Sequence, residues 1–135
     1  MTNDKKLQLS LLLMRIGVFI VMFMWTIDKF LRPEHAAAVY KSFYFIGGLG
    51  NTAFYVIAAI EMVIIVGFLI GVKKKLTYGA VMILHGISAI SSYKQYFSPF
   101  EGPALLFFAG LPMLAGCIAL YLLRDSDTMW VVSNK

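Results

Sequence analysis

The chain is short of charge and of cysteine. Only 14% of its 135 residues are Asp, Glu, Lys or Arg, where a soluble domain carries about a quarter. The single cysteine, Cys117, allows no disulfide framework, no Cys-x-x-Cys pair and no cysteine metal cluster within the chain. A thiol–disulfide oxidoreductase acting alone is thereby excluded. There are two histidines, and only His85 falls inside a long apolar run, so two histidines cannot hold a b-type haem at membrane depth. No internal repeat or low-complexity tract is evident. The inverted repeats from which many transporters are built are therefore missing. No compact Met-x-x-Met cluster with histidine exists among the eight methionines, so these read as gap-filling apolar side chains rather than copper ligands.

What the chain has in abundance is apolar length. Hydrophobic residues make up 60% of it, and the mean hydropathy is +0.79. This is the composition of one small integral membrane domain. A net charge of +5 raises nucleic acid as a partner. However, the basic residues cluster at the ends of apolar segments, as membrane topology requires, and no nucleic-acid partner is expected.

Four segments are long enough to cross about 30 Å of hydrocarbon at about 1.5 Å per residue. They lie at about 7–31, 52–72, 76–97 and 103–124. The first run continues to Leu31 without a small-residue cleavage site, so it reads as a retained span rather than a signal peptide. The second and third are joined by Lys73–Lys75, a link so short that it predicts an antiparallel hairpin. Four crossings put Lys5, Lys6, Lys73–Lys75 and Arg124 on one side, which predicts both termini in the cytoplasm of a bacterium and the chain in its inner membrane. Between the first two spans, Pro33 and Ala36–Ala38 predict a short helix at the outer surface, ended by Gly47, Gly48 and Gly50. Its aromatic residues Tyr40–Phe45 suit a headgroup boundary or a docking surface for another subunit. Pro112 is expected to kink span four, and Met129–Val132 to rest on the inner surface. The fold class is thus all-α, an integral membrane four-helix bundle with both ends inside and one interfacial helix.

Buried ionisable groups carry the functional reading. Counted from the inner side at about 1.5 Å per residue, Arg15 lies about 10 Å deep, His85 about 14 Å and Glu61 about 16 Å. An uncompensated charge there costs at least about 2.5–3.5 kcal/mol, so Arg15, Glu61 and His85 are expected to form one polar cluster that either binds a ligand or fixes helix register. A second layer near the outer side comprises Asp28, Lys29, Ser88, Ser92 and Lys94, with Asp28 and Lys94 expected to pair. His85, Ser88, Ser92, Gln95 and Tyr96 share one stripe of span three, which should face the bundle interior or a cavity. The serines can alternatively bond their own helix. Cys117 reads as a small apolar filler, His35 as an exposed loop histidine, and the glycines of the spans as sites of close helix packing.

The stretches "LLLMRIGVFIVMFMWTIDKFL" and "AIEMVIIVGFLIG", followed by a basic turn and a third span, resemble the DoxX-like family of small four-helix bacterial membrane proteins. The resemblance covers about Leu9 to Tyr96. It carries over Arg15, Lys29 and Glu61 as family-type positions but not His85 or the stripe below it, and the loop around Tyr40–Phe45 is longer and more aromatic than the family's. It implies an accessory or quinone-facing subunit of a membrane oxidoreductase, with quinone as its non-covalent cofactor and other membrane subunits or a second copy as its partner. No catalytic residue or metal site is implied. A proton-coupled carrier working as a homo-oligomer, or an assembly factor for another membrane protein, are the alternatives.

Overall fold

The structure is a computed structural model that describes residues 1–132. It is helical throughout, with no strand among the described residues. Helix α1 (Asn3–Leu31) starts where the Thr2 hydroxyl accepts the Lys5 N–H at 3.2 Å, an N-cap that satisfies one of the orphan donors of the first turn. It is followed at once by α2 (Pro33–Phe43), whose proline stands at the first helical position, where a missing N–H costs nothing. The glycine-rich 47–50 stretch is non-helical, and Gly50 caps α3 (Asn51–Ile70).

Gly71 closes α3 in the left-handed conformation, with φ 74° and the Val72 N–H bonded to Gly67 O at 2.9 Å. This glycine-terminated cap reverses the chain into α4 (Lys74–Ser91). The expected third span to 97 is corrected here. The helix breaks at Ser92, whose N–H turns back to Ala89 O, and a separate five-residue helix α5 (Tyr93–Phe97) follows. The fourth rod begins as a 3-10 helix at Ala104–Ala109 and continues as α6 (Gly110–Leu122). Pro112 therefore stands in the first turn of α6, where proline is tolerated, instead of kinking the middle of a span.

Contacts run from α1 to α3, α3 to α4, α4 to α6 and, more loosely, α6 back to α1, with α2 laid against α1 and α3. The core joins Leu11 and Val18 of α1, Ile65 and Phe68 of α3, Tyr78 and Val81 of α4, and Cys117 and Leu120 of α6. Three rods are long and apolar enough to cross a membrane: α1, α3 and Ala104–Leu122. The fourth, α4, starts on Lys74 and Lys75 and carries His85, Ser88 and Ser91, which lowers its apolarity. Small residues let the rods approach: a Cβ added at Gly67 would lie 3.0 Å from Thr77, and one at Gly116 would lie 3.3 Å from Met14. Gly17 differs from the expectation of close packing, having nothing within 4 Å of such a Cβ.

Candidate functional site

Arg15, Glu61 and His85 do not meet. Each is compensated separately, and the reason lies in helix geometry. Side chains lean toward the N-terminus of their own helix. Arg15 on α1 therefore leans toward the end where the chain begins, while Glu61, on the antiparallel α3, leans the opposite way. Similar counted depth conceals this divergence.

Arg15 is fully buried and faces the C-terminal segment. Its Nη1 lies 2.8 Å from Asp127 Oδ1, too poorly aligned for a directed bond, while Nη2 donates to Met129 O at 2.7 Å. Tyr78 donates its hydroxyl to Asp127 Oδ2 at 2.6 Å, and Lys74 donates to the carbonyls of Asp127 and Arg124. Of the Met129–Val132 segment, expected at the inner surface, Trp130 and Val132 are exposed. The segment folds back on the bundle end: the Val132 N–H bonds Ile70 O at 2.8 Å, and Val131 packs on Gly71, where a Cβ would approach it to 2.5 Å. Asp127 is the residue that sequence reasoning missed. Counted depth matches Arg15 with Glu61, which leaves Asp127 in the polar tail without a role.

Glu61 meets Lys29 instead, Oε2 to Nζ at 3.1 Å, and the Thr26 hydroxyl lies 3.2 Å from the same oxygen. Lys29 leans inward from the far end of α1 and so converges on the outward-leaning carboxylate. The expected Asp28–Lys94 pair is also corrected. Asp28 bonds Arg32 one turn on, at 2.6 Å, and its other oxygen lies 2.6 Å from His35 Nδ1. His35 is thus held rather than a plain loop histidine. Lys94 lies over the Phe45 ring at 5.6 Å.

The aromatic segment packs partly inward, while Phe45 stays 70% exposed. Tyr40 packs edge-on against Phe54 at 5.1 Å, and Phe43 stacks on Phe107 at 5.6 Å. Burial, with the Glu61 carboxylate nearby, pushes the Tyr40 phenol above its ordinary pKa, so it stays protonated. Ser88 donates to Leu84 O within its own helix and Ser92 to Ser88 O. Since the single Ser88 proton is used there, Tyr44 donates to Ser88 Oγ at 2.7 Å.

Between α1 and α6, roofed by α2, lies a cavity of about 1330 Å³. Apolar and small side chains form most of its wall, including Gly17, Val21, Ala115 and Gly116. Its polar groups are Lys29, Glu61, Tyr40, Tyr44 and the stripe formed by His85 and Ser88 of α4, Ser92 at the helix break and Tyr96 of α5, with Asp28 at the rim. Gln95, the fifth residue of that stripe, does not line it. Exposed residues on the wall, Trp25, Ile87 and Leu106, mark where the cavity opens sideways. Among the described residues, no three His, Cys, Asp or Glu side chains are grouped to hold a metal ion. No family model matches the chain, and no curated protein or solved structure is significantly similar to it.

Proposed function

We propose that this chain is a four-span, multi-pass protein of the bacterial inner membrane that holds a lipid-soluble, quinone-type molecule in the α1/α6 cavity, as an accessory subunit of a membrane oxidoreductase. The single observation that carries this reading is the cavity itself. A space of about 1330 Å³ exceeds the range of drug-sized sites, about 300–1,000 Å³, and suits a head group with an apolar tail. Its sideways opening faces the direction from which a lipid-soluble molecule arrives. The fixed charges fit a neutral head, because Lys29 and Glu61 already neutralise one another. The chemistry a quinone supplies when bound is two-electron redox exchange. The residues that would hold it are the hydrogen-bonding groups of α2, α4 and α5 on the cavity wall.

Two further points support the reading. Lys74 bonds the Arg124 carbonyl, so the basic hairpin link and the C-terminal basic residue share one end of the bundle, as four crossings with both termini inside require. The resemblance of α1 and α3 to DoxX-like proteins supplies the redox context and rests on the residues quoted for it. Gentle purification of the tagged chain from its own membrane tests the proposal. A stoichiometric oxidoreductase partner together with extractable quinone is the expected result. Recovery of a lone homo-oligomer without any lipophilic molecule would overturn it in favour of a carrier.

A further inference from the structure

The Tyr96 hydroxyl is the feature of the cavity that its own wall does not explain. It is shielded from solvent and bonds nothing, although a buried hydroxyl without a partner is costly. Its ring is held against Phe108 at 5.3 Å. The hydroxyl and the His85 ring converge on Gly110: a Cβ added there would lie 3.7 Å from Tyr96 Oη and 3.8 Å from His85 Cε1. The missing side chain of Gly110 thus leaves a niche between two polar groups. Within it, His85 Nε2 lies 2.8 Å from Gly110 O. A carbonyl only accepts, so Nε2 carries the proton and its donor is spent inside the chain. Of the two groups that converge on Gly110, the Tyr96 hydroxyl is the one left with a free donor.

We infer that Tyr96, over Gly110 and beside His85, is the head-group subsite of the cavity, and that it selects a neutral ligand whose oxygen accepts a hydrogen bond, with the apolar tail running between α1 and α6. This rests on the reading of the cavity as a site for a lipid-soluble molecule and adds the head group's chemistry and orientation. The direction follows from the wall. Nine residues of α6 separate Gly110 from Ala119, about 13 Å along the axis, and the lining between them is apolar or small: Pro112, Met113, Ala115 and Gly116. An anionic lipid head finds no surplus charge here, since Lys29 is paired with Glu61 and Asp28 with Arg32.

The test uses the full chain in detergent carrying Trp130→Phe, which leaves Trp25, on the cavity wall, as the only tryptophan. The probe is 2-decyl-1,4-benzoquinone, read by quenching of Trp25. Saturable quenching is expected. Tyr96→Phe should weaken it about tenfold, the worth of one hydrogen bond, while the ligand-free protein unfolds at the same or a higher temperature, because the hydroxyl removed had no partner. Ala115→Phe, which fills the tail path, should abolish saturation. Decyl phosphate should relieve the quenching far less well than methyl decanoate and similar neutral carbonyl analogues that do not themselves quench. Equal affinity in Tyr96→Phe, with Ala115→Phe still blocking, overturns the subsite and leaves the cavity reading intact. Quenching that never saturates, or that Ala115→Phe does not change, overturns both. Displacement by decyl phosphate as strong as by the neutral analogues overturns the selection for a neutral head.

Discussion

Removing the charge of Asp127 should loosen the whole end of the bundle. Its carboxylate and the Arg15 guanidinium sit 2.8 Å apart, with side chains 0% and 1% exposed. Taking away one partner of such a pair strands the other, at a cost of about 3–5 kcal/mol. Asp127→Asn keeps an oxygen for the Tyr78 hydroxyl, and Arg15 keeps its bonds to the Met129 and Trp130 carbonyls. The cost should therefore fall at the low end, about 3 kcal/mol, which for a chain of this length is a fall of roughly 10 °C in midpoint. Replacing both partners with apolar residues, Arg15→Met with Asp127→Leu, removes the stranded charge but leaves the Tyr78 hydroxyl without its partners, so it should recover about half of the loss. Thermal unfolding in one detergent, with Trp130 fluorescence reporting on the tail, measures all three proteins. The reasoning is refuted if Asp127→Asn costs less than about 1 kcal/mol, or if the double variant is as damaged as the single one. In either case the packing of Val131 on Gly71, rather than the ion pair, would be what holds the tail.

Glu61→Gln should cost about 2–3 kcal/mol by leaving Lys29 without its counter-charge, and Lys29→Met added to it should recover most of the loss, as read by denaturant unfolding in micelles. Gly71→Ala combines a left-handed backbone, worth about 1 kcal/mol against a non-glycine residue, with the close approach of Val131. A midpoint fall of several degrees is expected, about half of it relieved by Val131→Ala. Tyr78→Phe deletes a hydroxyl bonded to a carboxylate and should lower stability by about 1.5–3 kcal/mol, yet leave quinone quenching of Trp25 unchanged, since Tyr78 is not on the cavity wall. Reporter fusions should give cytoplasmic signals at both termini; opposite signals would refute the four crossings, and periplasmic signals at both would refute the orientation.

The helices themselves were legible because their signals are local. Pro33 starts α2, the short basic link predicts the tight α3–α4 turn although the reversal itself is made at Gly71–Lys73, and the spacing of His85, Ser88, Ser92 and Tyr96 does mark one wall of a cavity. The ion pairs were not legible, for two physical reasons. Counting residues along a helix locates Cα atoms, whereas the charge of a lysine or arginine sits several ångströms away in a direction set by helix polarity. That is why Arg15 and Glu61, at similar counted depth, point apart, while Lys29 and Glu61 meet. The second reason is distance along the chain. Arg15 finds Asp127 across 112 positions, in a tail whose polar composition marks it as surface and whose return depends on Val131 fitting the bare backbone of Gly71. The break at Ser92 was hidden as well, because Tyr93–Phe97 continues an acceptable helical pattern.

Both buried cations of α1 lie on nearly one face, fourteen residues or about 21 Å apart, and each is claimed by a different partner. Arg15 takes the tail and Lys29 takes α3. In lipid, apolar surface does little to choose between one helix register and another, because the tails are as apolar as the helices. A charge that must find its counter-charge does choose, since sliding α1 by a single turn would separate both pairs at once. The two pairs thereby hold α1 against its neighbours on one side. On the other side its contact with α6 is loose, and there α1 presents Gly17, Val21 and Trp25, with the already paired Lys29 farther along the wall. The cavity opens where α1 has no ionic partner, which is where a lipid-soluble molecule can enter without breaking either pair.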